Sequence, residues 1–447
     1  MSYSIPTSVR WSQLNAKQQQ NLLQRPVLTT DTRLQAAVAD ILATVRCQGD
    51  EAVQAYSQAF DGMPSRLLTI TADLSAGLNA QVKKAIDTAY ANIRRFHQQQ
   101  QPSNIQVETS PGVQCQLNYT PFESVGLYIP GGSAVLPSTV LMLGVPAQLA
   151  GCQQVLLATP PNRHGDVSPA VAYAAQKCGI QQVLLAGGAQ AIAAFAYGTE
   201  SVPAVHKIFG PGNAYVTAAK QQVSQQFGGP AFDMPAGPSE LLVVADSSAE
   251  PDFIAADLLS QAEHGPDSQV LCVSPSRSLL QAVEKALQQQ VTSLPRHDIA
   301  LQALSQSRLI ETDSLAQAYA ISQNYAPEHL SVQVAPEREA EALQHLTRAG
   351  SIFVGHYTPE SGGDYATGTN HVLPTYGFAK NYSSLGLLDF YRRFTVQRIS
   401  PQGLAELGGT IQCLAQLEGL EAHARAVSLR LQSERFRTDS TLTGVSS

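Results

Sequence analysis

The sequence has few charged residues, no run of basic residues and no long apolar stretch. Charged residues make up 14% of the 447 residues, and the net charge is −7. A nucleic-acid-binding or membrane-surface protein needs a basic patch or run, which this chain lacks. The longest weakly polar stretch, residues 136–150, contains Pro137, Pro146 and Gln148 and is too short and too interrupted to span a bilayer. We therefore expect neither a nucleic-acid nor a membrane partner.

The cysteines indicate neither a disulfide framework nor a metal site. The chain has six, and no two of them form a CxxC pair. So few cysteines in so long a chain do not indicate a disulfide scaffold or a thiolate metal site, so we expect free thiols in a reducing compartment. Residues 1–14 are polar and lack the apolar core of a signal peptide. These features together predict a cytoplasmic protein.

Apolar residues make up 44% of the chain, and they follow an alternating strand and helix pattern. The pattern is clearest in residues 130–235, which are rich in Gly and Ala, and it recurs after residue 236. In the first region we predict strands at 155–158, 183–186 and 205–209 and helices from 168 to about 179 and at 189–197; in the second, strands at 241–245 and 270–273 and a helix at 252–263. This alternation predicts parallel, doubly wound α/β sheets.

The remaining segments are less regular. Apolar periodicity predicts amphipathic helices at 31–47 and 75–97, and β-branched and aromatic residues predict a strand over 113–129. After residue 385 we expect helices and a frayed end at 438–447. The fold class is thus α/β, with two Rossmann-like domains and small N- and C-terminal helical extensions.

Two glycine-rich turns follow predicted strands. Gly187-Gly188 and residues 210–213 (Gly-Pro-Gly-Asn) each lead into a helix. Such turns can present backbone N–H groups to a phosphate. The chain has neither a GxGxxG fingerprint after a strand nor a Walker-type loop. Tight strand-to-helix connection is an equally good interpretation of both turns.

Four polar segments could carry chemistry. Gln261 and His264 are three residues apart and share a helix face, although a histidine at a helix end is also favoured by the helix dipole. Glu328-His329 combines the residue types of a general acid/base pair, but this dipeptide is common by chance. Residues 361–371 form a polar loop containing Asp364 and His371, which could be ligands or an Asx turn with a solvated histidine.

The fourth segment opens the last predicted helix. Glu418, Glu421 and His423 lie at its start. Acidic residues there are ordinary compensation of the helix dipole. The same dipole disfavours protonation of His423, and a neutral imidazole is the form that binds metals.

Taken together, these segments resemble the histidinol dehydrogenase family. The match runs in order from about residue 25 to 432, through the stretches 126–133, 209–213, 234–240, 261–265, 326–330, 363–366, 369–374 and 418–423. The resemblance implies Rossmann-like domains of the incompletely wound, aldehyde-dehydrogenase-like kind. Its implied organisation is an N-terminal extension (1–24), a metal and substrate domain (25–129 with 236–384), an NAD domain (130–235) and a dimerisation segment (385–447).

The resemblance also implies a role for individual residues. Glu328 and His329 would be the catalytic acid/base pair, and one zinc ion per subunit would be held by Gln261, His264, Asp364 and His423. Substrate contacts would come from these four ligands and from His329, Ser239, Tyr365, His371 and Glu418, and NAD contacts from Tyr128, Gln190 and Asn213. Nitrogen and oxygen donors of this kind suit zinc.

The implied reaction is the oxidation of L-histidinol to L-histidine through L-histidinal, with two NAD. The C-terminal segment would reach a second copy, so Glu418 and His423 would complete that copy's site in a homodimer. Three alternatives remain open from the residues themselves. One is a zinc- and NAD-dependent dehydrogenase of another small polar alcohol, and another is a zinc hydrolase in which Glu328 activates water. The third is a non-enzymatic metal- or nucleotide-binding module, which leaves the Glu328-His329 segment unexplained.

Overall fold

The computed structural model describes residues 5–26, 32–131, 136–235 and 237–433. The chain divides into two compact units. The larger unit comprises residues 1–100 and 122–390, and the smaller comprises residues 101–121 and 391–447. Among the described residues, no helix combines the length and the apolar character needed to cross a membrane.

Strands and helices alternate through most of the described chain. In chain order, the strands are β1 (Ser8–Arg10), β2 (Arg66–Thr69), β3 (Ile105–Ser110), β4 (Val113–Pro121), β5 (Ser124–Tyr128), β6 (Gln154–Thr159), β7 (Gln182–Leu185), β8 (Lys207–Phe209), β9 (Ala231–Phe232), β10 (Glu240–Ala245), β11 (Gln269–Ser274), β12 (Arg308–Glu311), β13 (His329–Gln333), β14 (Ser351–Val354) and β15 (Tyr391–Ile399).

The α-helices are α1 (Ala16–Leu22), α2 (Thr32–Gln48), α3 (Asp50–Phe60), α4 (Ala80–Gln98), α5 (Pro137–Ala150), α6 (Pro169–Lys177), α7 (Gly188–Tyr197), α8 (Ala214–Ser224), α9 (Pro251–Ala262), α10 (Arg277–Gln290), α11 (His297–Ser305), α12 (Leu315–Tyr325), α13 (Pro336–His345), α14 (Glu360–Tyr365), α15 (Pro401–Leu417) and α16 (Glu421–Leu431). Short 3-10 helices occupy Trp11–Gln13, Ala72–Ser75, Val291–Ser293, Phe378–Lys380 and Leu387–Phe390.

The first six-stranded sheet is parallel throughout, in the order β1-β12-β11-β10-β13-β14. Its central strand β10 has the sequence ELLVVA and is buried at every position, as expected for a parallel sheet that is covered on both faces. Alternate residues of β10 point into two cores. Leu241 and Val243 join the core formed with α9, α10 and α11, whereas Leu242 and Val244 join the core formed with α12 and α13.

The second six-stranded sheet has the order β2-β7-β6-β5-β8-β9. It is parallel except that β2 pairs antiparallel with β7. Helices α2, α7 and α8 contribute to the core on one of its faces. Strand order reverses between β5 and β8, and a ligand crevice is expected at the carboxyl ends of strands where the order reverses. Tyr128 and Gly210 stand at that point.

The structure confirms the α/β fold class and the predicted strands and helices of residues 155–273. Two local predictions before residue 130 are wrong. The single strand expected over 113–129 is two strands in different sheets, β4 and β5, because the chain turns at Phe122-Glu123 and leaves the antiparallel pairing. The helix expected from residue 75 begins at Ala80, because the side chain of Asn79 caps it by accepting a hydrogen bond from the Gln81 N–H.

Strand membership also differs from the predicted grouping of segments. Residues 66–69 and 124–128 (β2 and β5) belong to the second sheet, together with strands from 154 to 232, and residues 8–10 are an edge strand of the first sheet. Pairing with distant strands decides this membership, and local sequence does not encode it. The domain boundaries themselves stay a prediction.

The smaller unit holds a three-stranded antiparallel sheet, β15-β4-β3, and the helix pair α15 and α16. The segment after residue 385, which we expected to be helical, therefore also contains the nine-residue strand β15. This strand pairs with β4 along its whole length. The frayed end expected at 438–447 lies outside the described residues.

Candidate active site

A cavity of about 700 Å³ opens in the larger unit. Its walls include the turn after β8, the segment before β10, the end of α9, the start of β13 and helix α14. It therefore lies at the carboxyl ends of strands of the second sheet and the amino ends of strands of the first. Most of the predicted site residues line it, namely Asn213, Ser239, Gln261, His264, Glu328, His329, Asp364, Tyr365 and His371.

Glu328 and His329 are an adjacent, buried polar pair on this wall. Both are less than 10% exposed, and both are bound by the main chain of Glu240. The Glu240 N–H donates to Glu328 Oε2 at 2.8 Å, and His329 Nδ1 donates to the Glu240 carbonyl at 3.0 Å. The Nε2 atom of His329 is buried and has no hydrogen-bond partner. One ring nitrogen is thus fixed by the backbone, and the other is left for a ligand.

Gln261 lies in the last turn of α9, whereas His264 follows the helix's C-cap residue, so the two do not share a helix face as the spacing predicted, although both line the cavity. The Gln261 Nε2 donates to Glu360 Oε1 at 2.6 Å, whereas its buried Oε1 has no partner. His264 lines the cavity, and the desolvation it experiences there lowers its pKa, so the neutral imidazole is favoured. An amide oxygen without a partner and a neutral imidazole are both metal-ligand atoms.

Asp364 lies on α14 and faces His329. Its Oδ1 is 3.6 Å from His329 Nε2, and Glu360 Oε1 is also 3.6 Å from that nitrogen. Burial by itself raises the pKa of Asp364, but the nearby imidazole of His329 lowers it overall. Burial raises the pKa of Glu360, and the nearby negative charge of Asp364 raises it further. His329, Glu360 and Asp364 offer ligand atoms that all lie within 4.8 Å of one another.

Glu360 is a site residue that the sequence analysis missed. Residues 361–371 were expected to be a loop, and in a loop Glu360 has no fixed relation to Asp364. Residues 360–365 instead form the short helix α14, which places positions four apart on one face. The spacing Glu-x-x-x-Asp could have indicated the pair, but the three glycines in 361–371 argued against a helix.

The other predicted substrate contacts lie around this cluster. The ring of His371 donates from Nδ1 to the Asp364 carbonyl at 2.8 Å, and its Nε2 is 3.2 Å from Thr139 Oγ1. Tyr365 is more than half exposed and borders the cavity, as does Ser239.

The three predicted NAD contacts lie at carboxyl ends of the second sheet. Tyr128 ends β5, Gln190 is in the first turn of α7, and Asn213 caps α8. The Gly188 N–H donates to the Tyr128 hydroxyl at 3.0 Å, and the Gly187 N–H donates to Asp61 at 3.0 Å. Two of the N–H groups that could have cradled a phosphate at this turn are therefore occupied by side chains of the protein. The buried Oε1 of Gln190 has no partner.

A buried ion pair fixes the turn that carries Asn213. Lys220 Nζ is 2.5 Å from Asp233 Oδ1 and donates to the Gly210 carbonyl at 2.8 Å, and the Gly210 N–H donates to Asp233 Oδ2 at 2.7 Å. Gly210 has φ +120°, and a Cβ there would lie 2.0 Å from the Tyr128 carbonyl oxygen. Only glycine fits this position.

We predict that Lys220→Met lowers the free energy of unfolding by about 3–5 kcal/mol, because Asp233 is left as an uncompensated buried charge. Urea denaturation measures this. The matched control is Lys177→Met, because Lys177 pairs with Asp87 at the surface and such pairs contribute about 1 kcal/mol or less. Equal effects of the two substitutions would show that burial of the Lys220 pair does not matter.

Glu418 and His423 lie in the smaller unit. Glu418 is the C-cap residue that follows α15 and His423 is in the first turn of α16, and both residues are exposed. Their roles as substrate contact and zinc ligand stay predictions.

The residues of the cavity fit a divalent cation. Three carboxylates, those of Glu328, Glu360 and Asp364, surround the single imidazole of His329. Buried negative charge of this density is costly without a compensating cation. Together with the unpartnered oxygen of Gln261, this charge excess indicates a place for a metal ion.

Two mainly parallel sheets and a buried cluster of acid, imidazole and amide side chains are the features of an α/β enzyme. A family model described as histidinol dehydrogenase matches residues 23–431. Histidinol dehydrogenases of Idiomarina loihiensis and Yersinia pestis are 56% and 55% identical to this chain over 429 residues, which is 95% of this chain and 97% and 96% of theirs.

A crystal structure of histidinol dehydrogenase from Elizabethkingia anophelis has a TM-score of 0.91 and 44% identity, and covers 97% of this chain and 100% of its own. The chain belongs to the histidinol dehydrogenase family, and it is an oxidoreductase. The resemblance found in the sequence is thereby confirmed.

Proposed function

We propose that this chain oxidises L-histidinol to L-histidine through L-histidinal, as an enzyme of histidine biosynthesis that uses two NAD and one water. The observation that carries the proposal is the convergence of Glu328, His329, Gln261, His264 and Asp364 on one cavity in a chain that belongs to this family. Acid/base groups and metal-ligand groups thus face the same small volume.

Zinc would be held by Gln261, His264 and Asp364, with His423 supplied by a second copy of the chain. When bound, the ion supplies a Lewis acid that orients the imidazole and amino nitrogens of the substrate. The partnerless Oε1 of Gln261 supports its place in the set. The His329, Glu360 and Asp364 group is a competing set of donors, and the metal-binding experiment below separates the two.

His329 is placed to take the alcohol proton, because its Nε2 is buried and has no hydrogen-bond partner while its Nδ1 is fixed by Glu240. Glu328 is placed to activate water for attack on the aldehyde carbon, because its carboxylate is less than 10% exposed and adjoins that imidazole at 3.4 Å. Retention of the aldehyde in the cavity limits loss of a reactive intermediate.

Substrate contacts would be completed by Ser239, Tyr365 and His371 from this chain and by Glu418 of the second copy. Tyr128, Gln190 and Asn213 would hold NAD, which would supply the hydride acceptor for both oxidations. Tyr128 and Asn213 follow β5 and β8, between which strand order reverses in the second sheet, and Gln190 follows β7. All three thus stand at carboxyl ends of strands, which supports the assignment.

The proposed oligomer is a homodimer in which the C-terminal helices of each chain complete the site of the other. Large apolar side chains on α15 and α16 are exposed in the single chain, including Leu414, Leu417 and Leu429. A patch of this kind is typical of a protein–protein interface. The six unpaired cysteines support a reducing, cytoplasmic location.

The direct test is NADH formation by the purified, zinc-loaded chain. We expect two NADH per L-histidinol consumed, L-histidine as product, and no turnover after zinc is removed by a chelator. A panel of other small polar alcohols is the comparison. Metal-dependent turnover of one of these but not of histidinol would reject the substrate, and hydrolysis of an amide or ester without added nucleotide would reject the dehydrogenase.

We predict that His264→Ala and Gln261→Ala each weaken zinc binding by more than about 100-fold, beyond the loss typical of an outer-shell partner. Competition with a chromogenic chelator measures the affinity, and His297→Ala, which replaces an exposed histidine, is the control. If Glu360→Gln strips the metal while His264→Ala retains it, the His329, Glu360 and Asp364 group is the zinc site.

A further inference from the structure

An arginine outside the sequence motifs binds directly behind the proposed catalytic pair. Arg25 follows α1, and its guanidinium forms a two-pronged ion pair with Glu240, with Nε donating to Oε1 and Nη2 donating to Oε2 at 2.9 Å. The two side chains are 13% and 3% exposed. The guanidinium also lies 3.8 Å from the centre of the Tyr325 ring. Planar, paired and stacked contacts of this kind are specific to arginine.

The partner of Arg25 is the residue whose main chain holds the catalytic pair. The Glu240 N–H binds the Glu328 carboxylate, and the Glu240 carbonyl accepts from His329 Nδ1. The position of the Glu240 backbone therefore sets the orientation of both groups. Arg25 anchors the side chain of that same residue from a segment 215 positions earlier in the chain.

The same guanidinium also holds the turn that leads into the pair. Arg25 Nη2 donates to the Tyr325 and Ala326 carbonyls at 2.9 and 3.3 Å, immediately before Pro327 and Glu328. Ala326 has φ +52°, and Tyr376, whose N–H donates to Glu240 Oε1 at 2.9 Å, has φ +60°. Within the described residues these are the only two non-glycine positions with positive φ.

Left-handed backbone at a residue with a side chain is strained, and it persists only where the surroundings enforce it. Both strained positions hydrogen-bond this one ion pair, Ala326 through its carbonyl to Arg25 and Tyr376 through its N–H to Glu240. The ion pair between Arg25 and Glu240 therefore links three segments of the chain, namely the start of β10, the turn after α12 and the loop at Tyr376.

We propose that Arg25 is a positioning residue for the oxidation. It holds the side chains of Glu328 and His329 in their observed orientation through its contacts with Glu240 and with the turn at Ala326. Arg25 does not line the cavity, so its action is indirect. The inference rests on the function proposed above, because it is measured through turnover of histidinol. Misplacement of reacting groups by about 1 Å is enough to lower a rate by about 100-fold.

The experiment compares Arg25→Met, Arg25→Lys and the double variant Arg25→Met/Glu240→Gln in the full-length, zinc-loaded protein. For Arg25→Met we expect kcat to fall by about 100-fold, while KM for histidinol and bound zinc per chain change by less than about twofold. Arg25→Lys keeps the charge but cannot make the paired contacts, so kcat should stay at least about tenfold low.

The double variant separates positioning from stability. It removes the carboxylate that Arg25→Met alone would leave unpaired, so its melting temperature should return toward that of the parent while kcat stays low. Recovery of kcat together with stability would overturn the proposal, because charge compensation would then explain the whole effect. A kcat for Arg25→Met within twofold of the parent, at full zinc occupancy, would also overturn it.

Arg10→Met is the matched control. Arg10 likewise ties the N-terminal region to the first sheet, through Asp313 at 3.1 Å, but it is exposed. We expect its kcat to equal that of the parent.

Failure of the proposed function and failure of the proposed role of Arg25 give different results. A parent chain that does not oxidise histidinol rejects the proposed function, whereas an active parent with an equally active Arg25→Met variant rejects only the role of Arg25.

Discussion

Glu328→Gln is expected to lower kcat for histidinol oxidation by about 100- to 10 000-fold, the range associated with loss of a general acid/base group. The glutamine side chain has the same shape and can still accept the Glu240 N–H, so the fold and the zinc content should be unchanged. Its amide cannot take a proton from water. The loss should therefore fall on the second oxidation, which needs hydration of the aldehyde.

Single-turnover kinetics resolve this prediction. With enzyme in excess over histidinol, the parent should form two NADH per substrate, whereas Glu328→Gln should form one NADH rapidly and the second slowly. Glu250→Gln, which replaces an exposed glutamate, should behave as the parent. Equal slowing of both oxidations would move Glu328 out of the water-activating role, and unchanged kinetics would remove it from the mechanism.

Mixing two inactive variants is expected to restore activity if the site is shared between subunits. His329→Ala disables the cavity of its own chain, and His423→Ala disables the segment proposed to reach the other chain. Random reassociation of equal amounts gives hetero-dimers in half of the cases, and each of these has one intact site of two. About a quarter of the parent activity should therefore return in a two-fold symmetric dimer.

The complementation has an internal control. A mixture of His329→Ala with Glu328→Gln should show no more steady-state activity than the Glu328→Gln variant alone, because both changes lie in the same part of the chain and no hetero-dimer contains an intact site. Activity is followed as NADH formation after joint unfolding and refolding of the two variants. Failure of His329→Ala and His423→Ala to complement, with dimer formation verified by light scattering, would place each complete site within one chain.

Much of the fold could be predicted because its signals are local. The buried strand β10 and the helices α6 and α9 are marked by apolar runs and by Ser or Pro at helix starts. The strand order could not be predicted in the same way. Nothing local in residues 66–69 or 124–128 says that they pair with β7 and β6, because pairing depends on contacts between segments far apart in the chain.

For the candidate site, the sequence alone indicated only one geometric pair, Gln261 and His264, because a helix relates residues three apart. The motifs that carry the family resemblance added Glu328, His329 and Asp364. Neither helical spacing nor the family motifs indicated Glu360 or Arg25. Glu360 joins the site through a short helix inside a glycine-rich stretch, and Arg25 joins it through contacts with residues about 215 and 300 positions away.

The alternation of strands and helices determined from the sequence by itself that this is an α/β protein, and the ordered motifs between residues 126 and 423 carried its resemblance to the histidinol dehydrogenase family. Only the tertiary structure decided that three carboxylates surround one imidazole and that an arginine fastens the backbone behind them. The physical reason is the distance along the chain over which each kind of interaction acts. Periodicity and capping act over a few residues, whereas a buried site is a balance of charge and hydrogen bonding among segments that meet only when the chain has folded.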